Sequence, residues 1–140
     1  MKLIVLDTSV PVAAARSREG ASFLLLEELA LQPRFRICVS GPLVLEYEMA
    51  LKRAPGLDVS AAEEIVDYLC EVGDRREIYF LWRPFLRDPK GEMVLEVSVE
   101  ARAEAIVTHN VRDFDGVEER FGIRVLRPGE FLLDLEAKTP

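Results

Sequence analysis

Acidic side chains stand in this 140-residue sequence where short apolar runs end. Asp7 follows Leu3-Ile4-Val5-Leu6, and Asp113 and Asp115 come soon after Ala105-Ile106-Val107-Thr108. Glu46 sits between Leu45 and Tyr47, and Glu92 opens the run that leads towards Ala105. Carboxylates gathered without compensation repel one another and raise their own pKa values, so a cluster that stays ionised at neutral pH needs a cation. Hard oxygen ligands with no His or Cys favour Mg²⁺ or Mn²⁺ over zinc. Such sites act on phosphate esters, where the metal screens the phosphate and lowers the pKa of an attacking water. Each acid also has a plainer use. Asp7 is a good helix cap, Asp113 and Asp115 are ordinary turn residues, and Glu92, Glu96, Glu100 and Glu104 form an i, i+4 stripe on a helix face.

The elements that must position these acids follow from apolar patterning. Leu3–Leu6 reads as a strand buried on both faces, and Arg36–Val39, Glu77–Trp82, Glu104–Thr108 and Ile123–Leu126 read as further strands. Between them, Ala21–Leu31 reads as a helix with Glu27 and Glu28 on its outer side. Ser40 caps a helix starting near Pro42 whose inner positions include Leu43, Val44, Tyr47 and Leu51. Ser60 with Glu63 three residues on predicts a capping box for the next helix. Another helix runs from Glu92 to about Ala103, and Pro128-Gly129-Glu130 starts a C-terminal helical turn. Alternating strands and helices imply an α/β fold, with helices on both faces of a parallel sheet of four to five strands, in one domain spanning 1–140. Ligands in such folds bind beyond the carboxyl ends of the strands, and there Asp7, Glu46, Asp113 and Asp115 are expected.

Composition narrows the alternatives. Eighteen Lys and Arg against 25 Asp and Glu give a formal charge of −7, which excludes a basic coat for nucleic acid. Divalent ions locally invert the field of an acid cluster, so a metal-dependent nuclease survives that exclusion. Cys38 and Cys70 are too few for a disulfide scaffold or a zinc site, and their apolar surroundings predict buried, reduced thiols and a cytoplasmic protein. The N-terminal apolar run meets Asp7 too soon for a signal peptide, and no segment is long enough for a membrane span.

Three motifs in order, Ile4-Val5-Leu6-Asp7-Thr8-Ser9, Val39-Ser40 with Glu46, and Val107-Thr108-His109-Asn110 with Asp113-Phe114, resemble the PIN-domain family. The stretch Arg87-Asp88-Pro89-Lys90-Gly91-Glu92-Met93-Val94-Leu95 looks like a branch of toxin components of toxin–antitoxin pairs. The resemblance spans residues 2 to about 127. It implies a Mg²⁺- or Mn²⁺-dependent ribonuclease of the VapC-like kind, a small cognate antitoxin and a homodimer. It further implies that Asp7, Glu46, Glu92 and Asp113 are the metal-binding, catalytic acids. Thr8 and Ser9 match the polar pair supporting the first acid, and Asn110 is placed to hold a water or phosphate. Glu92 stands where the family usually has Asp, and Lys90-Gly91 interrupt what is usually a run of acids. Asp88 and Asp115 are therefore alternative ligands. Arg83, Arg87, Lys90 and Arg112 are the nearest cations for an RNA backbone, and His109 is read as a bystander.

Two other readings compete. A phosphatase of the haloacid dehalogenase type also puts Asp after its first strand, but Ser9 occupies the place of its second Asp. A PIN-like fold kept as a binding or regulatory module, with weakened catalysis, is suggested by Glu92 and the interrupted acid run.

Overall fold

A computed structural model describes residues 2–31, 34–78, 85–86 and 88–137. In chain order the elements are β1 (Lys2–Leu6), α1 (Ser9–Arg16), α2 (Ala21–Leu31), β2 (Phe35–Val39), α3 (Gly41–Arg53) and α4 (Val59–Val72). They continue with β3 (Asp74–Arg75), α5 (Pro89–Ala101), β4 (Ala105–Val107), a 3₁₀ turn (Val111–Phe114), α6 (Val117–Phe121), β5 (Arg124–Leu126) and α7 (Pro128–Ala137). The strands form one parallel sheet in the order β3-β2-β1-β4-β5. The expected α/β architecture is thus the observed one. No helix among the described residues is long and apolar enough to cross a membrane.

The strand order carries the functional geometry. From β1 the chain builds outward through β2 to β3, then returns through α5 to β4 on the other side of β1. The topological switch point lies between β1 and β4, and crevices open there at the carboxyl ends. Ile4 pairs with Ala105 and Leu6 with Val107, so Asp7 and Thr108 leave the sheet side by side. Right-handed crossovers place α1–α4 on one face and α5 and α6 on the other. Ile4, Val5, Leu6, Ile37, Ile106 and Val107 are fully buried, which explains their continuous rather than alternating apolar pattern. Ser22, Leu25, Leu26 and Leu29 form the inner stripe of α2, while Leu24 and Leu31 face outward. Phe35 and Phe131 meet edge to face at 5.0 Å, joining α7 to the core.

Four local expectations need correction. The third strand among the described residues is Asp74–Arg75; of the expected Glu77–Trp82, Glu77 and Ile78 lie outside any strand and 79–82 lie outside the described residues. The cause is Gly73, where an added Cβ would stand 2.6 Å from the Leu69 carbonyl and 3.2 Å from Val39. That close approach lets the chain turn straight from α4 onto β2, with the Arg76 amide bonded to the Val39 carbonyl at 2.8 Å. A short charged strand at a sheet edge lacks the apolar pattern that signals a central one. The cap of α4 is Asp58, whose carboxylate accepts from the Ala61 amide at 2.7 Å, so Ser60 is already helical. Helix α5 begins at Pro89, with Asp88 as its cap, and ends at Ala101 because Arg102 adopts the left-handed conformation at φ 53°. Cys38 is buried but Cys70 is exposed, since it follows inward-facing Leu69 and is turned off the inner stripe of α4.

Candidate active site at the carboxyl edge of the sheet

Asp7 is the best-supported acid. Its backbone amide extends the β1–β4 ladder by donating to the Val107 carbonyl at 3.0 Å. Its Oδ2 accepts from the Ser9 hydroxyl at 2.7 Å and from the Thr108 hydroxyl at 2.8 Å. Both hydroxyls are themselves oriented: Ser9 Oγ accepts from the His109 amide at 3.1 Å, and Thr108 Oγ1 from the Asn110 amide at 2.9 Å. A hydroxyl has one proton to give, so each amide leaves that proton directed at Asp7. The carboxylate is buried and fixed by Ser9 at the start of α1 and by Thr108 just past the end of β4.

Glu46 reaches the same edge by another route. Ser40 caps α3 by accepting from the Leu43 amide at 3.2 Å, which sets the helix phase that turns Glu46 and Tyr47 inward. The buried Tyr47 hydroxyl donates to the Leu6 carbonyl at 2.5 Å and pins α3 to the end of β1, one residue from Asp7. Burial first, and then the negative charge of Asp7, push the Tyr47 phenol well above its ordinary range, so it remains a donor. Glu46 Oε1 lies 3.5 Å from Lys90 Nζ, the carboxylate buried and the ammonium half exposed.

Glu92 occupies the first turn of α5, the helix that sets out from this edge towards β4, and it is 2% exposed. Its Oε1 accepts from the backbone amides of Phe85, at 2.7 Å, and Leu86. Its Oε2 is buried with no hydrogen-bond partner among the described residues. Next to it, Gly91 packs so closely that an added Cβ would lie 3.1 Å from Leu86 Cδ1.

The remaining residues divide by location. Asp113 and Asp115 are exposed on and after the 3₁₀ turn. With Phe85, Leu86, Asp88 and Arg112 they line a depression of about 440 Å³. Asp88 accepts from the Lys90 amide at 2.9 Å, serving as a cap. Asn110 is exposed and engages Thr108 through its backbone. Thr8 makes no side-chain cap bond, whereas its neighbour Ser9 holds Asp7. His109 faces Ser22, with Nε2 2.7 Å from its hydroxyl. Arg83 and Arg87 lie outside the described residues. Thr108, Tyr47 and Lys90 hold or balance acids here without a role that the sequence alone gives them. The trace of Thr108 in the sequence is a polar residue directly after a strand, whereas the bonds of Tyr47 and Lys90 link elements far apart in the chain.

The fit to a divalent ion is one of donor chemistry. The acids offer oxygen ligands, and the unpartnered buried Oε2 of Glu92 is an anionic atom that a cation would satisfy. Among the described residues, however, no three His, Cys, Asp or Glu side chains stand close enough to enclose an ion. A metal at Glu46 would compete with Lys90.

A parallel sheet with an acid fixed at its switch point is a framework on which a ligand site is expected at the carboxyl edge. The chain belongs to the PIN-domain family, whose family model matches residues 3–112. Its fold is similar to that in the crystal structure of VapBC2 from Rickettsia felis bound to a DNA fragment from their promoter, with TM-score 0.60, 13% identity and coverage of 89% of this chain and 97% of that one. It is also similar to VapBC-1 from nontypeable Haemophilus influenzae, with TM-score 0.61, 14% identity and coverage of 91% and 98%. No curated protein matches the sequence.

Proposed function

We propose that this chain is a Mg²⁺- or Mn²⁺-dependent endoribonuclease of the cytoplasm and the toxin component of a toxin–antitoxin pair. The observation that carries this reading is Asp7, a buried carboxylate held by two oriented hydroxyls at the switch point of a PIN fold. Asp7, Glu46, Glu92 and Asp113 are proposed to hold the ion, and since no three acids among the described residues stand close enough to enclose one, taking it up must draw them together. When bound, it supplies Lewis-acid activation of water and neutralises charge on the phosphate. The chain's own contribution is preorganisation: Ser9 and Thr108 keep Asp7 in one rotamer, and Tyr47 keeps α3, with Glu46, against the end of β1. Arg112, beside Asp113, supplies a cation for the RNA backbone, and Arg83 and Arg87 are proposed to add to it. Asn110 is proposed to hold a water or phosphate.

A toxin needs a partner that silences it, and an apolar groove between α1, α2 and α4 suits one. It encloses about 320 Å³ and is lined by Ala14, Ala15, Phe23, Leu26, Ala30, Ile65 and Tyr68, with Glu27 and Glu64 at its sides. An amphipathic helix of a small cognate antitoxin fits such a surface. The two VapBC relatives in fold are consistent with this pairing, and a homodimer is part of the same proposal.

The test is cleavage of single-stranded and structured RNA by the pure protein with and without Mn²⁺, beside Asp7→Asn. Metal-dependent cleavage lost in the variant supports the reading, and equal activity in the two proteins overturns it. The ion pair between Lys90 and Glu46 favours a second reading, a PIN-like binding or regulatory module with weakened catalysis. Calorimetric titration with Mn²⁺ separates the two, since a decayed site takes up no metal tightly.

A further inference from the structure

The depression next to Asp113 has the construction of a base-binding pocket. Its volume of about 440 Å³ falls within the range of small-molecule sites, about 300–1,000 Å³. One wall is Phe85, a large apolar side chain left 37% exposed. The ring is held rather than loose. Phe121 packs edge-on against it at 5.2 Å and 75°. Gly116, at φ 87°, lies so near that an added Cβ would touch the Phe85 ring at 3.5 Å. Glu92 accepts from the Phe85 and Leu86 amides through a single oxygen, fixing the backbone there. Arg120 covers Phe121 at 5.8 Å, and Arg112 lines the pocket itself. The same lining carries three carboxylates, Asp88, Asp113 and Asp115.

An exposed aromatic ring braced on its edge and backbone offers a stacking face without an ordering cost at binding. Unpaired bases stack on such rings, and every base has a face to offer. Carboxylates accept from exocyclic amino groups, which cytosine and adenine carry and uracil lacks. We propose that this pocket receives one unpaired nucleobase of the RNA next to the cleaved phosphate, stacked on Phe85 and read by Asp115. The proposal rests on the ribonuclease reading above for its substrate. Phe85 and Asp115 would then decide which sequence is cut, while Glu92 positions Phe85 in addition to any part it takes in holding the ion.

The experiment is fluorescence anisotropy in EDTA with labelled 2′-O-methyl oligoribonucleotides of adenosine, cytidine or uridine, which resist cleavage. Wild-type protein is expected to bind the adenosine and cytidine probes more tightly than the uridine probe. Phe85→Ala is expected to weaken binding roughly tenfold, Phe85→Tyr to retain it, and Asp115→Asn to erase the preference over uridine. No binding by wild type, equal affinity for the three probes, or Phe85→Ala binding as tightly as wild type overturns the proposal. If Phe85→Ala proves unfolded by circular dichroism, Phe85→Tyr and Asp115→Asn decide it. A parallel cleavage assay with Mn²⁺ keeps the two readings apart. Cleavage with Phe85-independent binding leaves the nuclease and removes the pocket; Phe85-dependent binding without cleavage does the reverse.

Discussion

Asp7 and Glu92 are both buried carboxylates at one edge of the sheet, yet they are satisfied in opposite ways. Asp7 takes side-chain hydroxyls from the first residue of α1 and from the residue after β4, and each hydroxyl is oriented by a backbone amide. Glu92 takes backbone amides from the chain just before its own helix and leaves one oxygen unmatched among the described residues. Nearby, Glu46 is balanced by a half-exposed lysine. The first corner is rigid because the sheet holds it. The second depends on α3, on α5 and on the segment leading into α5, so its charge balance is the adjustable part of the site. Substitutions at Asp7 should therefore act on chemistry, and those around Lys90 on metal affinity.

The largest effect expected is at Asp7. Asp7→Asn keeps the shape but removes the charge, and RNA cleavage should fall further than with any change to its supports. Thr108→Val removes one of the two hydroxyl donors; Mn²⁺ affinity or activity should drop about 10- to 100-fold, as for other ligand-orienting groups. A drop as large in Ser60→Ala, far from the corner, would break the contrast. Tyr47→Phe tests the tie between α3 and β1. Losing that buried hydrogen bond should cost about 1 kcal/mol in chemical denaturation. The raised pKa of Tyr47 means the fold favours its neutral form. Its contribution is complete below the phenol's ordinary value of about 10 and is lost as pH climbs beyond it towards the folded value. That alkaline loss of stability should shrink in Tyr47→Phe. The smallest effect is at Lys90. An ion pair with a half-exposed lysine is worth at most about 1 kcal/mol, so Lys90→Ala should tighten Mn²⁺ binding by no more than about fivefold, while Lys90→Arg leaves it unchanged. Weaker Mn²⁺ binding in Lys90→Ala would show that the lysine does not compete for Glu46.

Much of the frame was legible in the residues. Leu3–Leu6 and Glu104–Thr108 read as strands because no polar side chain interrupts their apolar runs, and Ser40 with Pro42 marked the start of α3. The edge strand was not legible. Asp74 and Arg75 pair with β2 through their backbones alone, and the close approach at Gly73 that puts them there leaves no apolar signature. The site divides in the same manner. Ser9, two residues from Asp7, was readable as its support; Thr108, 101 residues away, was not, because nothing local joins them.

By itself the sequence determined the central strands, the main helices, the acids after the strands and hence the edge where a site must lie, since those follow from local patterning and the handedness of crossovers. Tertiary structure alone decided how each acid is compensated: Asp7 by hydroxyls, Glu46 by Lys90, Glu92 by amides. Hydrogen bonds and ion pairs act over a few ångströms in space, and the chain must fold before distant residues come within that range.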